Sequence, residues 1–106
     1  MRTSDIAIAF VSWPGDGKRR PIFIISDRNG MIMFYKITSK YQNKSPRIRK
    51  RYFPIEHWRD AGLNKQSYID TITVGRLSKH QFQLRVIGRL TAEDANQFER
   101  FLEIQK

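Results

Sequence analysis

Residues 18 to 39 read KRRPIFIISDRNGMIMFYKITS, and their reading decides the fold. PIFIIS, from Pro21 to Ser26, is a continuous apolar run of strand length. A proline fits its first position, where no N–H need be donated to a ladder. Asn29-Gly30 follows, the strongest short hairpin signal, because a type I′ turn needs positive φ at both central residues. MIMFYKITS then returns as the second strand of the hairpin.

Working outward, DIAIAFVS at 5 to 12 alternates Ile6, Ile8 and Phe10 with small apolar residues and reads as a short strand. WPGDGKRR, between it and the hairpin, reads as a turn carrying charge on Lys18, Arg19 and Arg20. On the other side, KYQNKSPRIRKRYF at 40 to 53 is polar and cationic, and is expected to form a mobile loop followed by a short strand from about Arg47. PIEHWRDAG predicts a two-turn helix, with Pro54 at its first position and Gly62 at the left-handed C-cap. IDTITV at 69 to 74 and FQLRVI at 82 to 87 predict two further strands. Thr91, with Asp94 three residues on, caps a closing helix whose stripe is Ala95, Phe98 and Leu102. The expected class is mainly β with short helices: a single domain over residues 1–106 forming a small, partly closed barrel or curled sheet with a C-terminal helix.

The chain holds 106 residues, enough for one core and too few for two. Twenty Lys and Arg stand against ten Asp and Glu, while 40% of the residues are hydrophobic, so a folded domain with an affinity for polyanions is expected. Nucleic acid, an anionic membrane surface and an acidic protein segment all answer to that charge. Cysteine is absent, which removes disulfides, zinc-thiolate sites and thiol catalysis together. His57 and His80 alone do not make a metal cluster, so neither metal nor cofactor is expected. The N-terminus shows no signal-peptide pattern and no apolar run approaches membrane-span length, so a cytoplasmic location and no membrane partner are expected.

Three strings in order resemble the MazF/PemK toxin family: SDIAIAF at 4 to 10, KRRPIFIIS at 18 to 26 and KITS at 36 to 39. FPIEHWRDAGLNKQSYIDTITV and VIGRLTAEDANQFERFL resemble the later part of a PemK-like subgroup, whereas the basic stretch between is poorly matched. The resemblance implies an SH3-like, partly closed β-barrel that forms a homodimer. It also implies a sequence-specific endoribonuclease toxin, restrained by an acidic cognate antitoxin, which cuts single-stranded RNA without metal. The nucleophile in that family is the substrate's own ribose 2′-hydroxyl, so DNA is excluded and the protein has only to position the phosphate, move protons and stabilise charge. A toxin of the same barrel that acts on DNA gyrase without cutting RNA implies an alternative, a non-catalytic poison. A simple nucleic-acid adaptor is a third reading.

By resemblance, Arg20 takes the place of the family's catalytic arginine, and a guanidinium that forks onto two phosphate oxygens suits a pentavalent phosphate. Its alternative is a solvated cation beside Lys18 and Arg19. Thr38 takes the place of the family's threonine with Ser39 beside it, either hydroxyl serving a phosphate oxygen or the 2′-hydroxyl; the alternative is a β-favoured residue at a strand end. Alternation puts Lys36 and Phe34 on the side of Thr38. Asp70 is the candidate general base that some members of the family use, placed by alternation with Ile72 and Val74. TITVG at 71 to 75 departs there from the family's usual acidic or Gln residue followed by Arg-Thr. His57 is a chemically better base but falls in the inserted helix. Arg47, Arg49 and Arg51 alternate along the predicted strand at about 6.6–6.8 Å, a candidate phosphate track or a solvated loop. Lys18, Arg19, Lys36 and Ser39 complete the RNA-binding candidates, with Trp13, Trp58, Tyr41 and Tyr52 available for stacking.

Overall fold

The structure, a computed structural model, describes residues 1–13 and 16–105, with side chains for all of these except 10–13 and 16–18. The chain runs β1 (Asp5–Trp13), β2 (Asp16–Arg28), β3 (Met31–Thr38), α1 (Pro46–Arg49), β4 (Tyr52–Pro54), β5 (Tyr68–Ser78), β6 (Leu84–Arg89) and α2 (Ala92–Ile104). The strands form one antiparallel sheet in the order β4-β5-β3-β2-β1-β6, with β4 and β6 as unjoined edges. The expected class of mainly β with a C-terminal helix holds, as a curled sheet that is not closed edge to edge.

Asn29 and Gly30 take φ of 54° and 78°, the left-handed pair that a type I′ turn demands, so the hairpin is set where the sequence placed it. The charged stretch before it differs from expectation. Asp16 to Arg20 belong to β2 and pair with Trp13 to Ala9 of β1, so the cations lie in a strand and not in a loop. Pro21 therefore sits inside β2, one residue before the first β2–β3 pair, Ile22 with Lys36, where the strand is laddered on its β1 side.

Each face of the sheet carries its own core. On one face the paired positions Ile6 and Phe23, and Ile37, Ile69 and Phe53, join Ile55, Ala61, Leu90 and Phe98. α2 covers this face: Thr91 Oγ1 caps the helix by accepting from Asp94 N at 3.2 Å, and the ring of Phe98 packs 5.0 Å from those of both Phe23 and Phe53. The other face holds Ala7, Ala9, Ile22, Ile24, Ile32 and Leu77, with Phe34, Phe82 and Leu84 folded against them. Apart from Leu77, its buried strand positions are Ala or Ile.

Two further expectations are corrected. Residues 47 to 51 are not a strand: Ser45 caps a single helical turn, its hydroxyl accepting from Ile48 N, with Pro46 at the first position, and β4 starts only at Tyr52. Nor is PIEHWRDAG a helix. Pro54 ends β4, and residues 56–62 make a turn closed by Ala61 N to His57 O and Leu63 N to Trp58 O. Gly62 does take the left-handed conformation, φ 93°, and a Cβ there or on Gly88 would strike the facing backbone of Ile87 or Ala61. The two glycines let the turn lie directly on β6, a contact that replaces the missing helix.

Candidate active site

Ladder register places the expected residues on one face of the sheet. Ala9 pairs with Arg20 and is buried in the aliphatic core, so Arg20 stands on that face with Ile22 and Ile24. Ile22 pairs with Lys36, which puts Thr38, two residues on, beside Arg20 at the end of the hairpin. Lys36 pairs in turn with Asp70, and Asp70 with Tyr52. Arg20, Lys36, Thr38 and Asp70 are thus neighbours, although 50 residues separate the first from the last. Arg19 alternates to the opposite face, towards Phe23.

Arg20, Arg19 and Ser39 are exposed and Thr38 is half-buried. Together they line an open groove of about 490 Å³ across the end of the sheet. Its apolar lining, from Ile8, Ile37 and Ile87, belongs to the Phe23 face, so the groove wraps the end of the sheet with Arg20 and Thr38 entering from the other face, and its rim carries Lys40 and Lys65 in addition. Thr38 Oγ1 accepts a hydrogen bond from Lys40 N at 3.1 Å, which fixes the hydroxyl by its lone pair and leaves its proton free to donate. Among the described residues no carboxylate pairs with Arg19, Arg20, Lys40 or Lys65. A groove with an apolar lining, several cations and a free hydroxyl donor is suited to an anionic oxygen cluster such as a phosphodiester.

Asp70 shares the face but not the groove. The residue is 8% exposed, and its Oδ1 accepts from Ile72 N at 2.9 Å. That bond closes a bulge: Lys36 opposes Asp70 while Tyr35 opposes Val74, so Thr71 to Thr73 have no partner on β3. The alternation expected along IDTITV is therefore broken, with Asp70 buried while Ile72 and Val74 stand 45% and 44% exposed. Asp70 also bears on Tyr52. Burial is the first cause that pushes this phenol above its ordinary value, followed by the charge of Asp70 and a hydrogen bond to it.

The three arginines of the expected ladder separate. Arg51 is a clamp: its guanidinium donates to Thr71 O at 3.1 Å while its own carbonyl accepts from Thr71 N and Oγ1. Arg49 lies 5.7 Å from the centre of the Tyr41 ring, with Nε donating to Lys44 O. Arg47 is exposed on α1. Side chains of Lys18 and Trp13 lie outside the described residues, as do residues 14–15, where the sequence predicts a turn. Trp58 packs against the aromatic core. His57 also lies away from the groove, with Nε2 3.0 Å from Glu93 and its backbone N donating to Asp94 Oδ2 at 2.8 Å. Glu56, His57 and Asp94 stand close enough to offer a cation three donor atoms, but Asp94 and His57 are already engaged with each other and with Glu93.

No protein-family model matches this chain, and no curated protein is similar to it in sequence. Solved structures do match. The Mycobacterium tuberculosis toxin MazF-mt6 superposes with a TM-score of 0.66 at 19% identity, covering 92% of this chain and 90% of that one. A chain of the MazE-MazF crystal structure from Deinococcus radiodurans superposes with a TM-score of 0.67 at 14% identity, covering 99% and 95%. This chain has the MazF fold. The path of the chain accounts for what the sequence left unseen. Lys65 reaches the groove only because the turn at 56–62 lies flat on β6, and Lys40 because Thr38 Oγ1 holds its backbone.

Proposed function

We propose that this chain is the toxin of a toxin–antitoxin pair and an endoribonuclease that cuts single-stranded RNA. The observation that carries the reading is the meeting of Arg20 and Thr38 on one sheet face at the open groove, within a MazF fold and with the Thr38 hydroxyl proton free. In the proposed reaction the ribose 2′-oxygen attacks the adjacent phosphorus and loses its proton. The P–O5′ bond breaks, leaving a 2′,3′-cyclic phosphate on one fragment and, once the leaving oxygen is protonated, a 5′-hydroxyl on the other. Arg20 stabilises the charge that grows on the phosphorane oxygens, since a guanidinium keeps its proton and binds two oxygens at once. Thr38 donates its hydroxyl to a phosphate oxygen or orients the 2′-hydroxyl, with Ser39 in reserve. Arg19, Lys40 and Lys65 hold the flanking phosphates. Asp70, held by Ile72 N outside the groove, keeps the strand bulge in shape and is not assigned the base.

A homodimer, an acidic antitoxin that covers the cationic groove and a cytoplasmic site of action belong to the same reading. The D. radiodurans relative is a MazE-MazF structure, which supports the antitoxin. Among the described residues no helix is long and apolar enough to cross a membrane.

The test is cleavage of a transcript by purified protein in the presence of a chelator, with fragment 5′ ends sequenced to read the recognised word. Cyclic-phosphate and 5′-hydroxyl ends are expected. Arg20→Ala should lower kcat by about 10²–10³-fold, the usual loss for one donor to a developing oxyanion, with no change in melting temperature. Intact RNA with the wild-type protein, or wild-type rates with the variant, would overturn the proposal.

A further inference from the structure

Beside Thr38 lies a group of rings that neither core uses. Tyr68 is the cross-strand partner of Thr38, and cross-strand partners stand about 5 Å apart. Tyr41, three residues beyond Thr38, stacks on Tyr68 with ring centres 4.3 Å apart and planes inclined by only 7°. Arg49 extends the column over Tyr41, and its bond to Lys44 O holds the guanidinium there. Tyr52 leans on the same group at 6.5 Å. Tyr41, Tyr68 and Arg49 are all partly exposed, and none of the three tyrosines belongs to either core cluster.

Charge around the column is one-sided. Residues 40 to 51 hold Lys40, Lys44, Arg47, Arg49, Lys50 and Arg51 and no carboxylate, and no Asp or Glu occurs between Asp27 and Glu56. An aromatic column capped by a fixed guanidinium and ringed by cations is suited to an unpaired base whose phosphates run on either side. An acidic peptide would satisfy the cations but has no use for the column.

We propose that Tyr68, Tyr41 and Arg49 seat one unpaired base of the RNA, in the nucleotide next to the phosphodiester held by Arg20 and Thr38. The seat rests on the RNA-cutting reading and extends it to a position that sets which nucleotide may flank the cut. The base stacks on the Arg49 end of the column, and Lys40 and Arg47 take the adjoining phosphates. Tyr41 and Arg49 are here binding and positioning residues, acting on affinity and not on the reacting atoms.

The experiment uses the full chain and an oligoribonucleotide containing its cut sequence, in a cleavable form and in a form blocked by 2′-O-methylation at the cut ribose. Tyr41→Ala should raise KM, and the dissociation constant of the blocked form, by about tenfold while kcat moves less than threefold; Tyr41→Phe should restore both. Arg49→Lys keeps the charge without the plane, and should raise KM about fivefold, which serves if Tyr41→Ala folds poorly. Removing single bases next to the cut should cost the wild-type protein about tenfold at one position, and cost Tyr41→Ala nothing further there. Unchanged affinity in both variants, or an abasic penalty as large in Tyr41→Ala as in wild type, would overturn the seat. A protein that cuts RNA with unaltered KM in these variants loses the seat alone. One that cuts no RNA yet binds the blocked form through Tyr41 keeps the seat and loses the nuclease.

Discussion

The groove at the end of the hairpin and the contact between α2 and the 56–62 turn treat charge in opposite ways. Arg19, Arg20, Lys40 and Lys65 face the groove without a described carboxylate in reach. At the helix contact Asp94 Oδ2 accepts from His57 N, and Glu93 meets the His57 ring. The other structural acids follow the second pattern. Asp5 accepts from Arg2 N and lies 3.8 Å from Arg89, Asp27 binds the Met1 amine and Lys79, and Asp70 holds Ile72 N. The net charge of +10 is therefore not a uniform coat. Part of it is local, because Asp5, Asp27, Asp70, Glu93 and Asp94 are committed to backbone donors and clamps elsewhere, while the 40–51 segment holds cations and no carboxylate.

That contrast can be broken from the acidic side. Asp94 is 2% exposed, so Asp94→Ala strands the His57 N–H and should cost about 1–3 kcal/mol, read as a lower denaturation midpoint. Cleavage per folded molecule should stay at the wild-type level. A variant with normal stability and lost cleavage would mean that the helix contact takes part in the chemistry.

Asp70 tests where the boundary between the two regions runs. Asp70→Asn keeps an acceptor for Ile72 N, so stability should fall by less than about 1 kcal/mol and kcat by less than tenfold, far short of the loss expected for Arg20→Ala. Removing the charge should also bring the Tyr52 phenol back towards its ordinary value, visible in an ultraviolet titration. If Asp70→Asn instead abolishes cleavage with stability intact, the carboxylate is the proton acceptor and the bulge rearranges on RNA binding.

Local signals and long-range ones were not equally legible in the sequence. Asn29-Gly30, the apolar run from Ile22 to Ile25 and the Thr91 cap each act within a few residues, and the structure keeps all of them. Proximity of Arg20 to Thr38 was only half readable: the two-residue turn sets the register as far as Ser26, and a bulge at Ile25 then shifts it by one, so that Thr38 and not Ser39 comes to the side of Arg20. The Arg47–Arg49–Arg51 ladder failed because Ser45-Pro46 starts a helical turn, a cap signal that outweighs alternation in so short a segment. Pro54 carries a helix-start signal, but it closes β4 against Tyr68. The shared face of Asp70, Ile72 and Val74 is lost for another reason: alternation assumes an unbroken strand, and the Asp70 carboxylate helps to break it. Nothing local announces Lys65 or the Tyr41–Tyr68 stack, both of which depend on where distant turns come to rest.

Protonation gives the smallest effect and the cleanest separation of the two regions. Partial burial pulls the His57 imidazole down, but the hydrogen bond to Glu93 and the carboxylates of Asp94, Glu93 and Glu56 outweigh it and hold the group above its ordinary value of 6.5. A raised value in the folded state means that folding favours the protonated ring. The stability this contributes is fully present below about pH 6.5 and is lost as pH rises through the higher folded value. Glu93→Gln should therefore lower the melting temperature at pH 6 and leave it nearly unchanged well above the folded value, and the shift should be small because Glu93 is largely exposed. Neither His57 nor Glu93 lines the groove, so affinity for the blocked oligonucleotide should follow the same course with pH in Glu93→Gln as in wild type. A difference in that course between the two proteins would show that the helix contact and the groove are coupled, and the separation of charge described above would then be a switch.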